Sequence, residues 1–152
     1  MTIGAFDLDR FVAAQASAYD TAIGELRSGR KRSHWIWFIL PQLRGLGTSQ
    51  MSSKYGLQSL AEARAYLAHP LLGTRIRECV RTLNALPGND AVSVLGSVDA
   101  LKLRSCLTVF AEANQNESLF QEGLDKYFRG EPDAATLSLL GRAGGSRSGV
   151  PQ

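Results

Sequence analysis

Apolar residues return at three- and four-residue steps along almost all of this 152-residue chain, and no segment alternates convincingly at every second position. That periodicity limits the chain to helices that each bury one face, with no sheet. Leu8, Phe11, Val12, Tyr19, Ala22, Ile23 and Leu26 predict a first helix over Leu8 to Leu26, with Asp7 as N-cap and Gly29 just past its end. Ser33 is placed to cap a short helix that Pro41 stops. The stretch Gln42 to Gly56, rich in glycine and serine, reads as a long ordered loop. Ser59 and Glu62 form a capping box ahead of Leu60, Ala63, Tyr66 and Leu67, in a helix ending at His69-Pro70, where a cationic histidine would suit the helix dipole.

Further on, Leu72, Ile76, Cys79, Val80 and Leu83 form the inner face of a helix whose outer face carries Arg75, Arg77 and Arg81. A short helix spans Asp90 to Leu95, and Ser97 caps a longer one to about Ala113. Ser118 to Phe128 is another, and Asp133 caps a last one through Leu140. The expected architecture is all-α: a compact single-domain bundle of five to eight helices over residues 1–140, followed by a disordered Gly/Ser-rich tail over 141–152.

Composition narrows the function classes. The chain is 44% hydrophobic and 20% charged, as in an ordinary globular domain. A net charge of +3 permits an anionic ligand but lacks the concentrated charge of a dedicated nucleic-acid binder. Cys79 and Cys106 lie within apolar faces, and zinc-like spacing is missing, so the expectations are a cytoplasmic, reducing setting and no metal centre. The first ten residues carry no apolar run, so no signal peptide is expected, nor is a membrane span. Phosphate-loop, nucleophile-elbow and zinc-protease motifs are absent, so no cofactor is expected and no reaction is assigned.

Three polar residues fall on apolar arcs. At about 100° per residue, Gln15 sits mid-arc in the first helix. Asp99 and Lys102 share the arc of Val98, Leu103, Cys106, Leu107 and Phe110, while Arg104, Thr108 and Glu112 take the opposite face. Buried charge must be paired or bonded, so all three are expected to be largely inaccessible and to meet each other, another polar group or a ligand.

Both tryptophans lie in Ser33 to Leu43, directly after Arg30-Lys31-Arg32. Two residues apart on a helix, Trp35 and Trp37 cannot share a face, so one is expected in the core and the other at a surface or pocket. The basic run is either a solvated loop or a phosphate clamp.

These features predict that Gln15, His34, Trp35, Trp37, Gln42, Tyr55 and Lys102 line one concavity for a small anionic ligand, with nucleotides among the candidates. If chemistry takes place there, His34 is the general acid or base and Asp99 its carboxylate partner. The competing reading is a non-catalytic interaction module that presents an aromatic-basic surface to protein or RNA.

The segment Gly29 to Gly47, GRKRSHWIWFILPQLRGLG, resembles the bacterial family DUF1810, a domain of unknown function. Met51-Ser52 with Tyr55-Gly56, His69-Pro70-Leu71-Leu72-Gly73, Asp99 to Ser105 and Leu124 to Tyr127 extend the resemblance over about residues 6–140. The resemblance implies a compact helical fold and no established activity, so it assigns no role to any residue.

Overall fold

Residues 6–142 are described by the structure, a computed structural model, and fold into ten helices with no sheet among them. In chain order these are α1 (Asp9–Ala16), α2 (Tyr19–Ser28), α3 (Ile36–Ile39), α4 (Gln50–Tyr55) and α5 (Leu60–Ala68). They continue as α6 (Leu72–Ala85), α7 (Ala91–Leu95), α8 (Ser97–Ala113), α9 (Leu119–Phe128) and α10 (Ala134–Leu139). None is long and apolar enough to cross a membrane.

The longest helix, α8, is central: α5, α7, α9 and α10 all pack against it. From Leu103 to Ala113 every residue except Arg104 is buried. The one-sided arc expected for this helix therefore fails, because neighbours cover several of its sides. Thr108 and Glu112, expected outside, are 1% and 3% exposed, whereas Val98, expected inside, is 64% exposed. The buried polar groups are bonded, as burial demands. Thr108 Oγ1 donates to the Arg104 carbonyl and accepts from the Asp133 N–H, both at 2.8 Å.

Two features raise the helix count above the expected five to eight. The first predicted helix breaks between Ala16 and Tyr19, where the Ala18 N–H turns back to Gln15 O at 3.1 Å. Neither proline nor glycine marks the break, and the apolar phase runs through it. Within the expected loop, Ser49 accepts the Ser52 N–H at 3.1 Å and starts α4. Leu43 and Leu57 then close this segment as an isolated bridge, with Arg44 N–H on Leu57 O at 2.7 Å.

Several caps sit where the sequence put them. Gly29 ends α2 at φ 78°, a conformation that favours glycine. Asp90 and Asp133 accept the N–H groups that open α7 and α10. Four others are reassigned. Gly96, not Ser97, occupies the N-cap of α8, and Ser97 is the first residue of that helix, with no side-chain cap bond. Leu8, not Asp7, occupies the N-cap of α1, while the Asp7 carbonyl accepts from Arg10. Ser33 caps nothing, because its hydroxyl is drawn to Glu25. His69 serves the helix after it: its Nδ1 accepts from Leu71 and Leu72 N–H at 3.1 and 3.2 Å.

Of the expected tail, residues 143–152 lie outside the described residues. Arg142 is described, and its Nε donates to Glu112 Oε1 at 2.7 Å.

One ion pair fastens α1 to the α4–α5 junction. Arg10 Nη1 meets Glu62 Oε2 at 2.8 Å, with side-chain exposures of 9% and 0%. Arg10 also donates to Lys54 O and Gly56 O, and Glu62 Oε1 accepts the Gln58 N–H at 2.7 Å. Breaking a buried pair leaves an uncompensated charge, at about 3–5 kcal/mol. Glu62→Gln is therefore expected to lower unfolding stability by about 3 kcal/mol in urea titrations; a loss below about 0.5 kcal/mol would show that the pair does not hold the junction.

Candidate functional site

Gly29 ends α2 and turns the chain back along it, so residues 30–35 pass the last turns of that helix. Glu25 gathers this loop. Its Oε1 accepts from Arg32 N–H at 2.8 Å, Ser33 N–H at 3.0 Å and the Trp35 indole at 3.0 Å. Its Oε2 accepts the Ser33 hydroxyl at 2.6 Å. Burial pushes this carboxyl up, but the donors of Ser33, Arg32 and Trp35 outweigh it and hold the group at about 2.

Trp35 is the tryptophan that enters the core, at 1% exposed. Lys31 is drawn in beside it. Its N–H binds Val94 O at 2.7 Å, and its ammonium lies 5.0 Å from the Trp35 ring and 2.9 Å from Asp99 Oδ2. The other Asp99 oxygen lies 3.6 Å from Lys102 Nζ, which sits 5.2 Å over the ring of half-buried Trp37. The result is a row: aromatic, cation, carboxylate, cation, aromatic.

Behind Trp37 is a small pocket that it shares with Gln42, Met51, Ser52, Tyr55 and Gly56. Its free volume is about 10 Å³, room for about one water. Gly56 is required there, since a Cβ would stand 2.7 Å from both Arg44 Cα and Ser52 O. Tyr55 is held by the rings of Phe38 and Phe11, with centroids at 5.3 and 5.9 Å.

The sequence-predicted residues divide into two groups. Trp37, Gln42 and Tyr55 come together, and Lys102 joins them through Trp37 without lining the pocket. The others do not converge there. Gln15 is 1% exposed and engaged at both ends of its amide. Its Nε2 donates to Phe38 O at 2.7 Å and Tyr66 Oη at 3.0 Å, and its Oε1 accepts from Arg75 at 3.3 Å. It is a core glutamine that ties α1 to α3, α5 and α6. Trp35 is equally internal. His34 is exposed and makes no hydrogen bond with Asp99, whose oxygens face lysines instead. Asp99 and Lys102 are paired as expected but remain partly accessible, with side chains 17% and 22% exposed.

Glu25 was not singled out from the sequence, and Lys31 was seen only as part of a basic run that read as either a solvated loop or a phosphate clamp; of that run only Arg30 and Arg32 stay exposed. Among the described residues, no group of three or more His, Cys, Asp or Glu side chains is arranged to hold a metal ion. Burial pushes the Cys79 thiol up to about 12 and raises Cys106 as well, which removes both as nucleophiles near neutral pH.

Residues 5–140 match the family model described as "Protein of unknown function (DUF1810)". Among solved structures, the chain is similar to a conserved hypothetical protein from Mycobacterium tuberculosis, known from a crystal structure. The two share 48% identity over 90% of this chain and 97% of that one, with a TM-score of 0.88. No curated protein matches the chain.

The Glu25 cluster carries a pH signature. Its carboxyl is lowered in the fold from the ordinary 4.5 to about 2. Its stabilisation is therefore complete above about pH 4.5 and is lost as pH falls through about 2. Glu25→Gln is expected to lower the urea midpoint near pH 7, with the gap to the parent protein narrowing steadily between about pH 4.5 and 2. A gap independent of pH would show that the ionised carboxylate is not what holds the loop.

Proposed function

We propose that this chain, which belongs to the DUF1810 family, is a non-catalytic interaction module that docks a protein segment carrying apolar and acidic side chains. The observation that carries this reading is the surface beside Trp37. Five large apolar side chains are exposed among the described residues, and Val92, Val98 and Leu101 are three of them, at 52%, 64% and 65%. All three lie on α7 and the first turns of α8, which pack together. Val98, Leu101 and Lys102 are three and four residues apart, so they share one face of α8. Lys102 borders Trp37 on that face.

The charge along the row is uneven. Lys31 and Lys102 share a single carboxylate, which leaves one positive charge over, and exposed Arg30 and Arg32 add to it from the loop. An apolar strip bordered by cations suits a segment that presents acidic groups beside aliphatic ones. Of the residue types here, tryptophan and arginine are those in which protein recognition concentrates its energy.

A second reading, a small anionic ligand such as a nucleotide, rests on the shared pocket of Trp37, Gln42 and Tyr55. Because the space behind Trp37 takes about one water, such a ligand would lie across the indole with its charge near Lys102.

A displayed peptide library separates the two. Acidic-apolar peptides are expected to be enriched, and Lys102→Glu or Leu101→Asp to weaken their binding at least about tenfold with the helical circular dichroism unchanged. Selected peptides that bind both variants as tightly as the parent protein would sink the docking reading. If the library yields nothing while ATP raises the melting temperature of the parent protein but not of Lys102→Met, the ligand reading takes its place.

A further inference from the structure

Between α5, α6 and the C-terminal end of α8 lies a separate cavity of about 240 Å³, lined by Arg64, Leu67, Ala68, Arg77, Ala113 and Asn114. We propose that this cavity binds a small aliphatic monocarboxylate, with the Arg64 guanidinium taking the carboxylate and Leu67, Ala68 and Ala113 receiving the hydrocarbon part.

Gly73 makes the cavity's geometry possible. A Cβ there would stand 2.1 Å from Leu67 O and 2.9 Å from Arg77 Nη1, so only glycine lets α6 start this close to the end of α5. The two arginines that line the cavity are in different chemical states. Arg77 is spent: its Nε and Nη2 grip the Glu117 carboxylate at 2.8 and 3.1 Å, and its Nη1 donates to Leu67 O at 3.1 Å. Arg64 is exposed to solvent, anchored at one nitrogen and unspent at the other two. Its Nε donates to Ala113 O at 3.0 Å, which fixes the stem, while both terminal nitrogens donate to no protein group among the described residues.

A guanidinium held by Nε and open at its terminal nitrogens is preorganised for a carboxylate, whose two oxygens match that fork. The charge balance sets the valence. Glu117 cancels Arg77, which leaves the single charge of Arg64 for one anionic group. The carbonyl end of α8, held at Ala113, disfavours a second negative charge. The volume is below that of a drug-sized site, and with Leu67 and Ala113 only 6% and 7% exposed beside exposed Ala68, the apolar surface on offer suits a chain of no more than a few carbons.

Butyrate is the probe, followed by chemical-shift titration of the intact protein, with butylamine and inorganic phosphate as comparisons. Butyrate is expected to saturate with a Kd of about 1 mM, shifting the Arg64 side-chain and Ala68 signals, as its few heavy atoms allow. Arg64→Gln keeps most of the stem and removes the charge, and it should weaken binding at least about tenfold, the scale of one lost charge-assisted contact. Lys102→Met should leave the titration unchanged, which keeps this result independent of the docking face. The proposal is overturned if butyrate does not saturate, if its binding survives Arg64→Gln, or if phosphate binds there and butyrate does not.

Discussion

Four donors converge on the Glu25 carboxylate, and the geometry of the aromatic face follows from that convergence. By taking the Trp35 indole N–H along with the two backbone groups before it, Glu25 fixes which tryptophan turns inward. Two residues on, a helix has rotated by about 200°, so Trp37 must face another way. Gln15 holds the same short helix from the other side through Phe38 O. Four residues cannot sustain a helix by themselves. These two polar anchors, together with the packing of α1 and α4 on α3, hold it in place.

The parts of the fold that depend on local chemistry were legible in the sequence. Gly29, Pro41, Asp90 and Asp133 act within a turn of their own position, and each marks a boundary in the structure. Position in the whole was not legible. The α1–α2 break carries no breaker residue, and α4 is a six-residue helix started by one serine. In α8, periodicity assumes that a helix has one wet side. A central helix has none along most of its length, so Thr108 and Glu112 are buried where phase put them outside. Arg10 and Glu62 are 52 residues apart, and nothing local announces that they meet.

The site shows the same division. Asp99 and Lys102 were found by helical phase, although the arc that singled them out is not the one the structure builds. Val98 and Leu101 on the same turns are exposed, and the acid and base are turned toward each other and toward Lys31 and Trp37. Gln15 was rightly placed inside, but its amide is consumed by the core. Lys31 stood out only as part of the basic run, and its pairing with Asp99 had no signal, since that residue lies on a helix far along the chain. A loop lysine that is 7% exposed is explained only by the carboxylate and the indole that surround it.

That arrangement bears on why the face suits binding better than proton transfer. A general base must reach the substrate proton with an oxygen or nitrogen that is not already committed. Asp99 is held as a counter-ion between two ammonium groups, and His34 stands apart from it. Both thiols are buried with their ionisation suppressed. Besides the exposed His34, what remains accessible is an indole face, an ammonium beside it and a strip of aliphatic side chains. Groups of that kind suit contact better than proton exchange. Because α3 is fastened at Trp35 and at Phe38, Trp37 would enter the proposed docking with little conformational freedom left to lose. Preorganisation of that kind raises affinity by cutting the entropy cost of docking rather than by adding contacts.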